Sequence, residues 1–242
     1  MRRETQNILL LLLGGALLKI SFTGTYLRYV KPAHFWLLVL AGIVMLALTA
    51  VSIIRELRGE HIGPGGAVGH EHNHPMRSAW LLVLPVLAVF LIAPPALGAD
   101  SVERAAASPP RTTPTAEDGS ALYASLPAAD VLPLQLSEFS ERAVWDSGHS
   151  LNGRSIKLTG FVVHEGRDTY VARIAIACCA ADAYPTKVKL LDRDLAALAD
   201  DHWIEVVVVL EPNSATRENY FVPSAHVRTV TPVAEPEDPY EH

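Results

Sequence analysis

The chain has 242 residues, half of them apolar, and a formal net charge of −6 at pH 7. Its charge is divided unevenly: residues 1–98 carry eight Lys/Arg against four Asp/Glu, whereas residues 99–242 carry 12 against 22. A greasy, basic first part followed by an acidic, polar second part predicts a membrane anchor with an attached domain. It excludes a phosphate-backbone binder, which needs clustered Lys/Arg, so no nucleic acid is expected as a partner.

A bilayer core of about 30 Å takes roughly 20 mostly apolar helical residues. Three segments meet that length, predicting about three spans within a transmembrane region at 1–98: residues 8–30 (ILLLLLGGALLKISFTGTYLRYV), 35–54 (FWLLVLAGIVMLALTAVSII) and 79–98 (AWLLVLPVLAVFLIAPPALG). The first follows Arg2 and Arg3 but lacks a small-x-small cleavage site close behind it, so it reads as a retained helix rather than a signal peptide. Arg2, Arg3, Arg55, Arg58 and Arg77 fall on one side of these spans, and Arg28 and Lys31 on the other. That bias predicts a multi-pass cell-membrane protein with residues 55–78 in the cytoplasm and everything after residue 98 outside it.

Lys19 interrupts the first span. A cation at that depth either faces a partner or the bundle interior, as an intramembrane contact, or snorkels to the headgroups. Gly14, Gly15 and Gly42 allow helices to approach closely. Between the second and third spans the loop GPGGAVGHEHNHPMR carries His70, His72 and His74. Alternate positions share one face of an extended chain, so three imidazoles can hold a borderline ion such as Zn²⁺. A solvated loop is the other reading.

Residues 99–130 are rich in Ala, Ser, Thr and Pro without apolar periodicity, which predicts a flexible linker. An extracytoplasmic domain is expected over 131–233. PLQLSEFSERAVWD opens it as a short helix, with Ser137 and Ser140 as competing caps. Five strand-like runs follow at 155–163, 169–177, 186–192, 202–211 and 220–230. The last is broken by Pro223, marking an edge strand or two short ones. Residues 193–201 between the third and fourth read as a helix. That order predicts a mainly β domain, an OB-like five-stranded barrel with one short helix, bending at Gly160, with a small open sandwich as the other reading. Residues 234–242 read as a tail.

The only two cysteines, Cys178 and Cys179, are adjacent and follow the second strand. Neighbouring alpha carbons about 3.8 Å apart make a poor disulfide, so reduced thiols at a turn before Pro185 are expected. Two thiols on one turn favour a soft ion, Zn²⁺, Cu(I) or trivalent arsenic. Asp182, His164, His202 and His226 are the candidates for the remaining ligands. Two further readings stand beside this one: small buried residues at a barrel end, and a redox or nucleophilic thiol helped by Arg173 or His164.

SIKLTGFVV, VARIAIACCAADAYP, DHWIEVVVVLEP and VTPVAEPEDPY resemble the YcgQ-like family of permease subunits, with CCAADA the most specific stretch. The likeness extends over nearly the whole chain. It implies a larger membrane permease of the YcgR type as partner, alongside the lipid bilayer, and supplies no catalytic residues. The expected function is therefore an accessory permease subunit whose outer domain takes a soft metal or related solute through its cysteine pair. A membrane-anchored thiol-redox or metal-handling enzyme is the alternative.

Overall fold

The structure, a computed structural model, describes residues 3–58, 87–88, 91, 95–105, 123–146 and 149–242. The chain divides into two compact units, Met1–Pro95 and Ala96–His242.

The first unit is built on two helices, α1 (Arg3–Phe22) and α2 (Phe35–Leu57). They meet at glycines, as the sequence suggests. A Cβ on Gly14 would press on the Gly42 carbonyl, and one on Gly42 would press on Leu18 and the Gly14 carbonyl. Small residues at that crossing let backbone approach backbone. Gly15 has nothing within 4 Å of such a Cβ and takes no part. Ser21 and Thr49 are buried and return their hydroxyls to the carbonyls of Leu17 and Met45, one turn back. Lys19 is exposed in the last turn of α1, where a cation favours the helix C-terminus.

The expectation of about three spans is narrowed here. Among the described residues one helical stretch, Pro32–Arg55 with a mean hydropathy of 2.8, is long and apolar enough to cross a membrane. Gln6–Phe22 is apolar but shorter. Most of residues 79–98 and all of the loop bearing His70, His72 and His74 lie outside the described residues.

The second unit is mainly β. Its strands are β1 (Val131–Pro133), β2 (Ser155–Glu165), β3 (Asp168–Ala175), β4 (Tyr184–Leu191), β5 (Trp203–Leu210), β6 (Ser224–Pro232) and β7 (Tyr240–Glu241), with helices α3 (Ala99–Arg104) and α4 (Leu136–Trp145). β2 pairs with β5, β5 with β6, β6 with β4, β4 with β3, and β3 again with β2, so five strands close a ring. All of these pairs are antiparallel except β4–β6. The long β2 serves two neighbours: residues 156–161 face β5 and residues 161–165 face β3. Gly160 sits at that transfer. A Cβ there would drive into the Ala172 carbonyl, so the close crossing of β3 requires glycine.

Period-two burial explains the inside of the ring. Ile156, Leu158 and Val162 of β2, Val171 of β3, Val188 of β4, and Ile204, Val206 and Val208 of β5 pack into one cluster with Leu136 and Phe139 of α4. A second cluster covers the other side of β2 and β3, joining Phe161, Val163, Ala172 and Ile174 to Val102 of α3 and Tyr240 of β7.

That second cluster corrects several boundaries. The unit begins at Ala96, because Ala96 and Leu97 pack on the outer cluster and Leu97 N–H donates to the Tyr240 hydroxyl at 3.1 Å. The start of the expected 99–130 linker is helical: Asp201 accepts from Ala99 N–H, and Val102 is buried. The expected tail at 234–242 supplies β7, parallel to β3, with Tyr240 and Glu241 buried. β1, parallel to β2, is a further strand. Among the described residues seven strands thus replace the five expected.

The helix expected over 193–201 is a loop with turns instead. Asp192 and Asp201 take left-handed backbone, and the Asp194 carboxylate accepts from Ala196 N–H, a local bond that competes with helix. β6 is no edge strand, since Pro223 lies just outside it and β4 and β5 flank it. The helix read at the start of the domain is α4, but neither Ser137 nor Ser140 caps it. Leu136 N–H and Ser137 N–H donate to the two carboxylate oxygens of Glu241, at 2.7 and 2.9 Å.

Candidate metal centre

The connection between β3 and β4 carries the cysteines. It leaves the sheet at Ala175 and rejoins it at Tyr184, and these two residues are paired across the ladder. Ile176 is buried and its N–H donates to the Glu241 carbonyl, so the backbone is anchored up to two residues before Cys178. The small Ala180 and Ala181 then open a single 3-10 turn, Ala180–Asp182.

Asp182 organises this turn. Its two carboxylate oxygens accept from Ala177 N–H at 3.0 Å and Cys178 N–H at 2.9 Å, while its own N–H donates to the Cys179 carbonyl at 3.0 Å. A side chain bonded back to the backbone four residues earlier fixes a loop without hydrophobic packing. Adjacent residues on a regular strand face opposite ways. Here the backbone has left the strand, and the two sulfurs come within 3.6 Å of each other.

Both thiols are free; Cys178 is exposed and Cys179 half-buried. This overturns the reading of two small buried residues at a barrel end. With metal–sulfur bonds of about 2.3 Å, sulfurs 3.6 Å apart subtend an angle of about 100° at a shared ion. That suits a tetrahedral or pyramidal centre. The sulfurs of Cys178 and Cys179 and a carboxylate oxygen of Asp182 all lie within 4.8 Å of one another. A carboxylate has about four lone-pair sites, so two backbone donors leave it able to ligate as well.

One shared hydrogen bond sets the protonation of Cys178 and Asp182. The Asp182 carboxylate accepts from the Cys178 thiol and holds its pKa up, to about 11, with the Cys179 thiol adding to the rise. The same bond keeps Asp182 below its usual range. At neutral pH Cys178 therefore rests as a thiol beside a carboxylate, and an ion displaces its proton on binding.

The expected histidine ligands lie elsewhere. His164 Nδ1 bonds Asp200 at 2.8 Å. His226 is held between Asp192 and Glu211, one at each ring nitrogen, both at 2.5 Å. His202 is exposed at the start of β5. Among the described residues none of these joins the cysteine group. Arg173, the cation offered for thiol activation, is buried; it stacks 4.7 Å from the Trp203 ring centre and donates to the Asp238 carbonyl. Glu241 is the residue the sequence reading missed. It touches the thiol turn through its carbonyl and α4 through its carboxylate, and no spacing pattern links residues so far apart.

Residues 5–107 match the DUF1980 N-terminal domain and residues 142–242 the DUF1980 C-terminal domain. No curated protein and no solved structure matches the chain.

Proposed function

The chain carries both domains of the DUF1980 family and belongs to it, and from that premise we propose that it is a membrane-anchored accessory subunit of a permease that receives a soft metal ion at Cys178, Cys179 and Asp182. The observation that carries the reading is the pair of reduced sulfurs 3.6 Å apart beside a carboxylate on a solvent-facing turn. Thiolates select soft and borderline ions, and a vicinal pair chelates one in a small ring. Three donors leave at least one position of a tetrahedral ion open. An open, exposed site suits an ion that is passed on rather than stored.

In this reading the β domain is an OB-type barrel with the thiol turn at one end, supported by the closed ring and its parallel β4–β6 pair. In the same reading the apolar stretch Pro32–Arg55 anchors it together with 8–30 and 79–98, and the arginine bias of the sequence is the argument for a domain outside the cytoplasm. The partner is the larger YcgR-type permease, with Lys19 at the intramembrane contact.

The enzyme alternative needs a thiolate at neutral pH. A Cys178 thiol held up to about 11 with Arg173 engaged elsewhere argues against a nucleophile.

The test is equilibrium dialysis of the full chain in detergent against Zn²⁺, with elemental analysis. One ion per chain is expected, lost in Cys178→Ser/Cys179→Ser and weakened in Asp182→Asn. Equal zinc content in wild type and the double variant would refute the site. Affinity purification from membranes tests the partner: a permease should co-purify, and its recovery should fall in Lys19→Leu.

A further inference from the structure

A cleft of about 590 Å³ lies in the β domain, away from the cysteines, between β3, β4 and the connection that leads into β6. Its floor is the face of β3 and β4 opposite Val171 and Val188, carrying Asp168 and Tyr170 from β3 and Lys187 and Lys189 from β4. That volume is in the range of small-molecule sites.

One wall already shows how this cleft handles an ammonium group. The Lys187 ammonium lies 4.7 Å from the centre of the Tyr170 ring and pairs with Glu165. A phenol face and a carboxylate together make a good ammonium site, the ring quadrupole and the negative charge acting on the same cation. Lys189 is likewise paired, with Asp168 at 2.7 Å.

Tyr220 and Glu218 also line the cleft, and the Glu218 carboxylate accepts from the Thr216 hydroxyl at 3.4 Å. Tyr220 is 55% exposed, and among the described residues no cation lies over its ring. Its backbone is unusual. Tyr220 and Phe221 are consecutive non-glycine residues in the left-handed region, at φ 56° and 61°. Each such residue costs of the order of a kcal/mol and persists only where its surroundings impose it.

The surroundings do so here. Asn219 spends its whole amide on the loop, donating to the carbonyls of Ser214 and Val222 and accepting from Thr216 N–H. Phe221 packs inward against Trp145 at 5.9 Å, and its N–H donates to the Thr216 carbonyl at 2.7 Å. The strain is thus held by the loop, and its result is a fixed aromatic face in the cleft that the fold does not bury.

The charge of the lining narrows the ligand. Glu103, Glu165, Asp168 and Glu218 face two lysines, both paired, so the balance is negative and anions are disfavoured. Among the described residues these carboxylates do not form a group within reach of one metal ion. We propose that the cleft binds an organic primary ammonium group, which stacks on Tyr220 and pairs with Glu218. A free alkyl diamine and a lysine side chain of a peptide share that chemistry.

The test is calorimetric titration of the full chain in detergent with cadaverine, with acetyl-Gly-Lys-Gly-amide, and with 1-pentanol as the uncharged control. Saturable binding of either charged probe is expected, weakening with added salt; which one binds more tightly identifies the source. Tyr220→Ala and Glu218→Gln should each weaken it about five- to tenfold. Glu218→Gln keeps the backbone and so stands if Tyr220→Ala disturbs the loop. The proposal is overturned if neither charged probe saturates at millimolar concentration, if pentanol binds equally, or if Glu218→Gln leaves the affinity unchanged. Zinc binding at the cysteines is independent of every one of these outcomes.

Discussion

Replacing Glu241 by alanine tests the least local contact in the domain. Its carboxylate accepts from Leu136 N–H and Ser137 N–H, the first donors of α4, and the side chain is buried at 7% exposure. Truncation leaves two helix-end donors without a partner. A buried donor left unsatisfied costs about 1–3 kcal/mol. Leu136 is fully buried whereas Ser137 is half-exposed and regains part of that from water. The favourable placement of a carboxylate at a helix N-terminus is lost as well, about 0.3–1 kcal/mol. The balance is a loss of about 2–4 kcal/mol, or a melting temperature lower by about 6–12 °C for a domain of this size. Thermal unfolding of residues 96–242, followed through Trp145 and Trp203 fluorescence, reads it directly. Glu241→Gln retains one acceptor oxygen and should lose about half as much. A shift below about 1 °C for Glu241→Ala would refute the assignment of Glu241 as the cap.

Three further outcomes are expected. Gly160→Ala should destabilise the domain by about 1–3 kcal/mol in urea titration, because its methyl meets the Ala172 carbonyl; neutrality would refute a crossing of β2 and β3 that requires glycine. Asp182→Asn removes the negative charge of the main acceptor that raises the Cys178 thiol, so iodoacetamide should alkylate Cys178 faster at pH 7.5, whereas the wild type should react appreciably only at more alkaline pH; an unchanged rate would remove Asp182 from that role. His226 has its pKa raised by hydrogen bonds to Asp192 and then Glu211. Its contribution is therefore fully present below the unfolded value of about 6.5 and fades as pH rises through the raised folded value. The melting difference between wild type and His226→Ala should be larger at pH 6 than at pH 9, and the reverse order would refute the pairing.

The strands were legible wherever burial alternates along the chain. β5 reads as strand from WIEVVVVL, and burial follows that alternation residue by residue. α4 was legible from Phe139, Ala143 and Val144 at helical spacing, of which Phe139 is buried and the other two half-buried. The 193–201 loop was not, because its apolar residues sit at helical spacing while Asp192, Asp194 and Asp201 spend backbone and carboxylates on turns. Two-residue β7 and the helix cap had no local signature at all: Tyr240 and Glu241 acquire their roles from partners more than about 60 residues distant. For the candidate metal site, the thiols and Asp182 were legible as neighbours in sequence; among the described residues His164, His202 and His226 lie outside their group, because proximity between strands depends on register. The ammonium cleft left no trace in sequence, since it depends on Tyr220 holding a conformation that tyrosine rarely takes.

Glu241 also makes two distant parts of the domain answer to one residue. Its carbonyl holds Ile176 at the root of the cysteine turn, and its carboxylate holds the first turn of α4. A ligand that stiffens the turn favours the docked position of Glu241 and, with it, an intact helix start. Linkage is reciprocal, so whatever frays α4 weakens the hold on that ligand by the same free energy. Anything that grips or releases α4 thereby becomes an effector of the thiol turn without touching a sulfur.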